Sequence, residues 1–294
     1  MVDKIFQKFH LSPDHPESPK RISYIYDQLK KHNLLNKCIS FKKHIKVKQW
    51  LNTVHTDNHI ESIKENYPEA YEVAISGVKS CLSAVEKIEK NGCNNIFCAI
   101  RPPGHHALNT GKEEGFCFFN NIAITAKYLQ IKYNYKKILI VDWDYHHGNA
   151  TQDMFYDDNT VLFFSTHDKD AYPGTGQTTK IGIGKGKGYN INVHLPCGTK
   201  DEKIIEVFNN ILVPRASKFK PEFILISAGF DGRHDDPLGC FEISDKGFEK
   251  LTKIVMNLSK KFCDNKIISI LEGGYNLHGN AKGVLAHIKT LDSL

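Results

Sequence analysis

The chain is predicted to be an α/β protein, one domain over residues 1–294 built on a central, mostly parallel sheet with helices on both faces. From residue 95 onward, short apolar runs alternate with helical stretches, the βα order that a parallel sheet requires. The runs are apolar at successive rather than alternate positions, as expected of strands covered on both faces. Polar and glycine-rich segments then stand directly after them, where open parallel sheets place their ligand sites. With 294 residues, 40% apolar and 24% charged, the chain can bury a sizeable core.

Taken in order, the opening His10-Leu11-Ser12-Pro13-Asp14-His15-Pro16-Glu17-Ser18-Pro19 is punctuated by prolines and cannot hold a helix. Ser18 as cap and Pro19 at the first helical position predict a helix over Arg21 to Leu35, with Ile22, Ile25, Tyr26 and Leu29 at helical spacing. Thr56 or Asp57 starts a second helix through Ile60 and Ile63. Pro68 to Glu89 is a long helix with Val73, Gly77, Cys81, Ala84, Val85 and Ile88 inward.

Asn95 to Ile100 is then a strand, Asn121 to Tyr133 a helix, and Lys136 to Val141 the central strand. Val161 to Phe164 and Ile191 to Leu195 are strands, and Ile204 to Phe219 a helix. Phe223 to Ala228, Phe248 to Phe262 and Ile267 to Leu271 complete the alternation as strand, helix and strand. The series Gly182-Ile183-Gly184-Lys185-Gly186-Lys187-Gly188 precedes a strand instead of following one and opening a helix, so it is read as a turn-rich loop and not a phosphate cradle.

A net charge of +6 from 39 basic and 33 acidic residues, spread without a basic tract, gives no reason to expect nucleic acid as a partner. No apolar run is long enough to span a membrane and no leader-like stretch opens the chain, so a cytoplasmic protein is expected. The eight cysteines contain no C-x-x-C pair. Neither a disulfide framework nor a thiolate zinc cluster is therefore expected, and most of them should be small core residues.

The chemistry concentrates at strand ends. In Asp142-Trp143-Asp144-Tyr145-His146-His147-Gly148 the carboxylates and the first imidazole alternate, so an extended backbone aims them in one direction. Buried carboxylates need a partner, and a divalent cation is the simplest for a pair of them. Asp144, His146 and Asp231 make an open ligand set that leaves room for water and substrate. Such ligands suit zinc but leave Fe(II), Mn(II) and Co(II) open. His105-His106 follow the rigid Pro102-Pro103-Gly104 and can face a metal-bound water, with Asp142 orienting a histidine as general base. Tyr275, after Gly273-Gly274, can donate to a developing oxyanion. The loops after the strands also carry Glu113, Glu114, Asp168, Asp170, Asp235, Asp236 and Glu272, from which a locally acidic mouth that steers a cationic substrate is expected.

Together, Arg101-Pro102-Pro103-Gly104-His105-His106-Ala107, Gly115-Phe116-Cys117-Phe118-Phe119-Asn120-Asn121, Asp142 to Asn149, Tyr172-Pro173-Gly174-Thr175-Gly176, Gly229-Phe230-Asp231 and Glu272-Gly273-Gly274-Tyr275-Asn276 resemble the histone deacetylase superfamily, in its class II-like branch. The resemblance runs from His15-Pro16-Glu17 to the end of the chain. It implies an arginase-like fold and zinc-dependent hydrolysis of an acylated amine. Asp144, His146 and Asp231 are then the zinc ligands, His105 and His106 the catalytic pair with Asp142 behind His105, and Tyr275 the group that polarises the carbonyl.

Phe116 and Tyr172 are similar to the walls of an acyl-lysine tunnel, with Gly115 in its floor and Leu238 at its rim. Asp142, Asp144, His146, Ser165 and Thr166 match a structural site for a monovalent cation, K⁺. Asn149 stands where class I members carry a carboxylate, so an amide orients His106; Tyr172 replaces the commoner Phe; and Leu238 stands where polyamine-specific relatives place Glu. The expected substrate is an acyl-lysine peptide or protein, with acylated polyamines as the small-molecule alternative and a silent acyl-lysine reader as the non-enzyme one. The binuclear manganese ureohydrolases share the broad architecture, but the Asp-rich run they need is absent from the sequence.

Overall fold

The computed structural model describes residues 4–9, 11–40, 45–90 and 92–293; Met1, Val2, Asp3 and His10, which entered the reading of the N-terminus, lie outside them. The strands are β1 (Asn95–Cys98), β2 (Ile138–Asp142), β3 (Val161–His167), β4 (Asn190–His194), β5 (Phe223–Ala228) and β6 (Ile267–Leu271). They form one six-stranded sheet in the order β1-β6-β5-β2-β3-β4, and every neighbouring pair is parallel. β2 and β5 are buried at every position, which is why they read as unbroken apolar runs.

The helices α1 (Lys20–Lys31), α2 (Lys48–Leu51), α3 (Asp57–Asn66), α4 (Pro68–Glu89), α5 (Asn121–Tyr133), α6 (Asn149–Met154), α7 (Asp201–Val207), α8 (Val213–Phe219), α9 (Asp245–Phe262) and α10 (Leu277–Leu291) sort into two layers. α4 and α5 pack together, α4 over β1 and β6 and α5 over β5. α9, α10 and α1 pack in series, with α9 also on β5. Among the described residues no helix is long and apolar enough to cross a membrane.

Several expected elements differ in detail. Ser18 does not cap α1: Pro19 occupies the N-cap position without a side-chain hydrogen bond, and the helix stops at Lys31 instead of Leu35. The expected helix over 204–219 begins at Asp201 and contains a π-helical turn, Phe208–Leu212, just before Pro214, which has no N–H to give to the preceding turn. β3 runs on through Ser165, Thr166 and His167; the Ser165 hydroxyl meets His167 Nδ1 at 2.9 Å and His167 Nε2 meets the Gly176 carbonyl at 3.0 Å. α10 follows no strong sequence signal except Asn276, whose Oδ1 accepts the Gly279 N–H at 2.9 Å. The cysteines also depart from expectation at one place, where Cys197 and Cys240 are joined. Cys81, Cys98, Cys117 and Cys263 are the small buried residues expected.

The strand order positions the site. From β2 the chain moves outward to β3 and β4, then returns to β5 on the other side of β2 and moves away toward β6. The loops after β2 and β5 therefore diverge from adjacent strands, and a crevice opens between them at the carboxyl edge.

Candidate active site

Into that crevice run Asp144 and His146 after β2 and Asp231 after β5. The loops hold themselves in shape through the same carboxylates that carry the chemistry: Asp142 Oδ1 accepts the Asp144 N–H at 3.1 Å, Asp144 Oδ1 the His146 N–H at 2.9 Å, and Asp231 Oδ1 the Tyr145 N–H at 2.9 Å. A third strand contributes through Gly273, whose N–H reaches Asp144 Oδ2 at 2.8 Å. A Cβ at Gly229 or Gly273 would run into Asp144 and Asp231, so bare backbone lines this cradle.

The donor atoms of Asp144, His146 and Asp231 all lie within 4.8 Å of one another, with both carboxylates buried. Burial and the adjacent Asp144 push the Asp231 carboxyl up to about 7. Burial works against charge on His146, but hydrogen bonds to Asp144 and Asp231 outweigh it and lift the imidazole to about 10. Two desolvated carboxylates sharing one imidazole demand positive charge at this point, and a divalent cation with oxygen and nitrogen ligands fits the donor set.

His105 and His106 face this cluster, their ring centroids 4.0 Å apart. Arg101, just before their turn, is held by Glu17 through Nε at 2.9 Å and Nη2 at 2.6 Å, wholly inside the protein. His105 Nδ1 lies 3.0 Å from Asp142 Oδ2, whereas His106 Nδ1 lies 2.7 Å from Asn149 Oδ1. Burial depresses His105, yet Asp142, Asp144 and Glu272 together lift it well above the ordinary histidine value. Burial and the charge on His105 push His106 well below it. The two imidazoles are thus driven apart into a proton-bearing member and a free base.

The expected tunnel residues surround the pair. Tyr172 sets its ring edge on His106 at 5.0 Å, and Phe116 sets its ring edge on Tyr275 at 5.6 Å. A Cβ at Gly115 would strike both His106 and Tyr172. Phe116 itself sits at φ 70°, a left-handed conformation costly for an aromatic residue, and the Glu113 carboxylate accepts its N–H. Leu238 is exposed on the loop after β5, its N–H on Asp236 Oδ1 at 3.0 Å. Burial keeps the Tyr275 hydroxyl protonated, raising it well above the usual tyrosine value. Of the monovalent-cation residues, Asp142 and Ser165 are partners across the β2–β3 ladder. Thr166, next along β3, points its side chain to the alternate face, where Oγ1 is without a partner among the described residues.

The acidic mouth is corrected by the structure. Glu272 is fully buried, its carboxylate accepting the Gly104 N–H at 2.6 Å and the Ser227 hydroxyl at 3.1 Å. Asp236 accepts the Tyr275 and Asn276 N–H groups at 2.6 and 3.1 Å, and Asp168 accepts the Tyr145 hydroxyl at 2.8 Å. Glu113 and Glu114 accept the Phe116 and Leu108 N–H groups, Asp235 pairs with Arg233, and Asp170, the most exposed acid of the set, lies 4.0 Å from the Lys169 ammonium. These carboxylates hold loops in place more than they project a field.

Arg21 is a further residue at the site, one that no sequence motif marks. It lies 5.0 Å over the Tyr275 ring and donates to the carbonyls of Gly274 at 2.7 Å and Glu272 at 2.5 Å. The available signal was an arginine next to Ile22 on the inward side of α1. A cavity of about 660 Å³ lies elsewhere, at the amino end of β1, lined by residues such as Leu29, Leu34, Phe97 and Ile288, and gathers none of these groups.

A cation cradle at the switch point of a parallel sheet, faced by a polarised histidine pair and a buried tyrosine, defines a hydrolase of the α/β class. The model of the histone deacetylase domain matches residues 15–291, and the chain belongs to that family; it is a deacetylase. A probable deacetylase of Archaeoglobus fulgidus is 35% identical, over 93% of this chain and 80% of its own length. Histone deacetylase 15 of Arabidopsis thaliana is 36% identical over 94% of this chain, but the match spans only 52% of the plant protein. Histone deacetylase 9 of Homo sapiens is 34% identical over 90% of this chain and 30% of its own. The crystal structure of the HDA15 HD domain superposes over 100% of this chain and 90% of that one, with a TM-score of 0.91 at 33% identity.

Proposed function

We propose that this deacetylase is a zinc-dependent lysine deacylase, hydrolysing the amide of an acylated lysine in a peptide or protein. The observation that carries the mechanism is the asymmetry of the histidine pair beside the Asp144–His146–Asp231 cluster. Zinc held there, or Fe(II) in its place, would supply Lewis acidity to the acyl carbonyl and to water. Asn149 holds the Nδ1 proton of His106, so Nε2 is free to take a proton from the attacking water. His105, tied to Asp142, carries positive charge beside the reacting centre and supplies the proton that the leaving amine needs. Tyr275, kept neutral by burial, donates its hydroxyl to the oxyanion. A K⁺ ion held among Asp142, Asp144, His146, Ser165 and Thr166 would brace the strand that carries the ligands.

The lysine reading is favoured over acylated polyamines because the mouth offers few free carboxylates to a polycation and an apolar Leu238 at its rim. Aromatic walls from Phe116 and Tyr172 suit an alkyl stem. The test is turnover of the zinc-loaded protein on acetyl-lysine peptide, longer acyl-lysine peptides and N-acetylated polyamines, beside Asp231→Ala. Peptide turnover, lost with metal retention in the variant, is expected. Turnover of polyamines alone would move the enzyme to small-molecule metabolism, and silence on every substrate would sink the reading.

A further inference from the structure

Cys197 lies in the exposed loop after β4, and Cys240 lies half-buried in the loop after β5. They are 43 residues apart in sequence, yet their Cα atoms stand 5.1 Å apart and their sulfurs are joined. The two loops are registered independently of that bond: the Gly198 N–H reaches the Cys240 carbonyl at 2.7 Å, and the Glu242 N–H reaches the Thr199 carbonyl at 2.7 Å. Opening or closing the bond therefore needs little backbone movement, and the Cα separation lies within the range that a disulfide spans.

What Cys240 touches gives the bond a consequence. Its sulfur is 3.1 Å from the Tyr145 hydroxyl and 3.5 Å from Asp168 Oδ2, the carboxylate to which Tyr145 donates. Tyr145 stands between the ligands Asp144 and His146, gives its N–H to Asp231, and sets its ring edge on His146 at 4.9 Å. The same loop carries Leu238 at the rim, and Gly239 is packed so closely on the Asp231 carbonyl that a Cβ would not fit.

We infer that Cys197 and Cys240 form a reversible thiol–disulfide site that takes low-molecular-weight thiols and disulfides as partners, and that its oxidised form pins the rim loop. In reduction, a small thiolate attacks the exposed Cys197 sulfur; the S–S bond breaks and Cys240 leaves as thiolate, which takes a proton. A second small thiolate then attacks the small-molecule sulfur of the mixed disulfide, releasing Cys197 as a thiol once protonated. Two electrons and two protons reach the protein, and two small thiols become one disulfide. Oxidation is the reverse, with the small disulfide as oxidant. The reduced Cys240 presents an S–H to Tyr145 and Asp168, competing for the acceptor that anchors Tyr145, while the rim loop loses its covalent tie.

The test uses the full chain equilibrated with glutathione disulfide or with reduced glutathione, read by intact mass after alkylation, by melting temperature and by kinetics on acetyl-lysine peptide. Oxidised protein should lack two hydrogens at these cysteines and melt higher. Reduction should lower the melting temperature and raise KM about threefold at unchanged kcat, the pattern of a loosened binding contact. Cys197→Ser should behave as the reduced form under both conditions. Alkylation of both cysteines after oxidation would overturn the inference, as would a bond whose loss moves neither melting temperature nor KM, or the same response in Cys197→Ser. Mass and melting decide the matter even if the peptide is not a substrate.

Discussion

Two buried histidine pairs in this protein bring their rings comparably close but differ sharply in their neighbours. His55 and His59 stack with centroids 4.8 Å apart, and His105 and His106 lie 4.0 Å apart. Around the first pair every partner is an amide or a backbone group: His55 accepts the Asn120 N–H at 2.9 Å and meets Asn109 Oδ1 at 3.2 Å, while His59 accepts the Gly111 N–H at 3.0 Å and meets the Phe118 carbonyl at 2.9 Å. Burial pushes His55 down to about 3 and lowers His59 too, so both rings stay neutral and fasten the 109–120 segment, which carries Gly115 and Phe116, to α3. Around the second pair, Asp142, Asp144 and Glu272 lift one imidazole while the other is depressed. A histidine pair becomes chemical through asymmetric carboxylates, not through proximity.

The comparison is broken most severely at His106. His106→Ala should lower kcat by about 10³-fold, within the range for loss of a general base, with the native near-ultraviolet circular dichroism retained. A variant keeping a tenth or more of turnover would return the second pair to a structural role. Tyr275→Phe removes a donor and no base; kcat should fall about 10²-fold with metal content unchanged by elemental analysis. Full activity there would show that the tyrosine is packing alone.

The first pair should respond in the opposite currency. His55→Ala should cost about 1–3 kcal/mol in urea unfolding, from the buried Asn120 N–H left unpaired, with KM raised through the segment that carries Gly115 and Phe116 and kcat nearly unchanged. A large kcat loss without loss of stability would contradict the distinction.

The smallest effect sharpens it with acid. His55, and His287 likewise, are neutral when folded, pushed by burial from 6.5 to about 3. Below pH 6.5 the unfolded chain takes up protons that the folded one refuses, so their contribution, whole above that pH, is lost as pH falls toward 3. Each should remove about 1.4 kcal/mol per pH unit. Urea titrations at pH 7.5 and 5.5 should show a shallower acid loss in His55→Asn than in the wild type; equal losses would show that the ring is not held neutral.

The sheet and the Asp144–His146–Asp231 cluster were legible in the sequence for a common physical reason. Strands buried on both faces must be apolar throughout, so the abrupt arrival of Asp142, Asp144 and His146 after Val141 stands out, as does Asp231 after Ala228. What stayed hidden depends on partners distant in the chain. Glu272, Asp236 and Asp168 look like surface acids until Gly104, Tyr275 and Tyr145 are seen donating to them. Arg21 shows no partner in its own helix until the Glu272 and Gly274 carbonyls arrive from the loop after β6. No local pattern marks the meeting of Cys197 with Cys240, because only the return of β5 beside β2 brings their loops together.

That return also has a thermodynamic reading. His146 and Asp231 are 85 residues apart, so the unfolded chain keeps Asp144 and His146 near each other but not the third member of the cluster. A cation held at this point would bind the native state far more tightly than the denatured one, and its concentration would enter the stability directly, contributing about 2.7 kcal/mol at a free concentration of 100 times Kd. A melting curve repeated over a metal series thus measures, in degrees, whether β5 has docked beside β2. A bound ion would be a gauge of completed topology, and chelation should then lower the melting temperature even where no substrate is present.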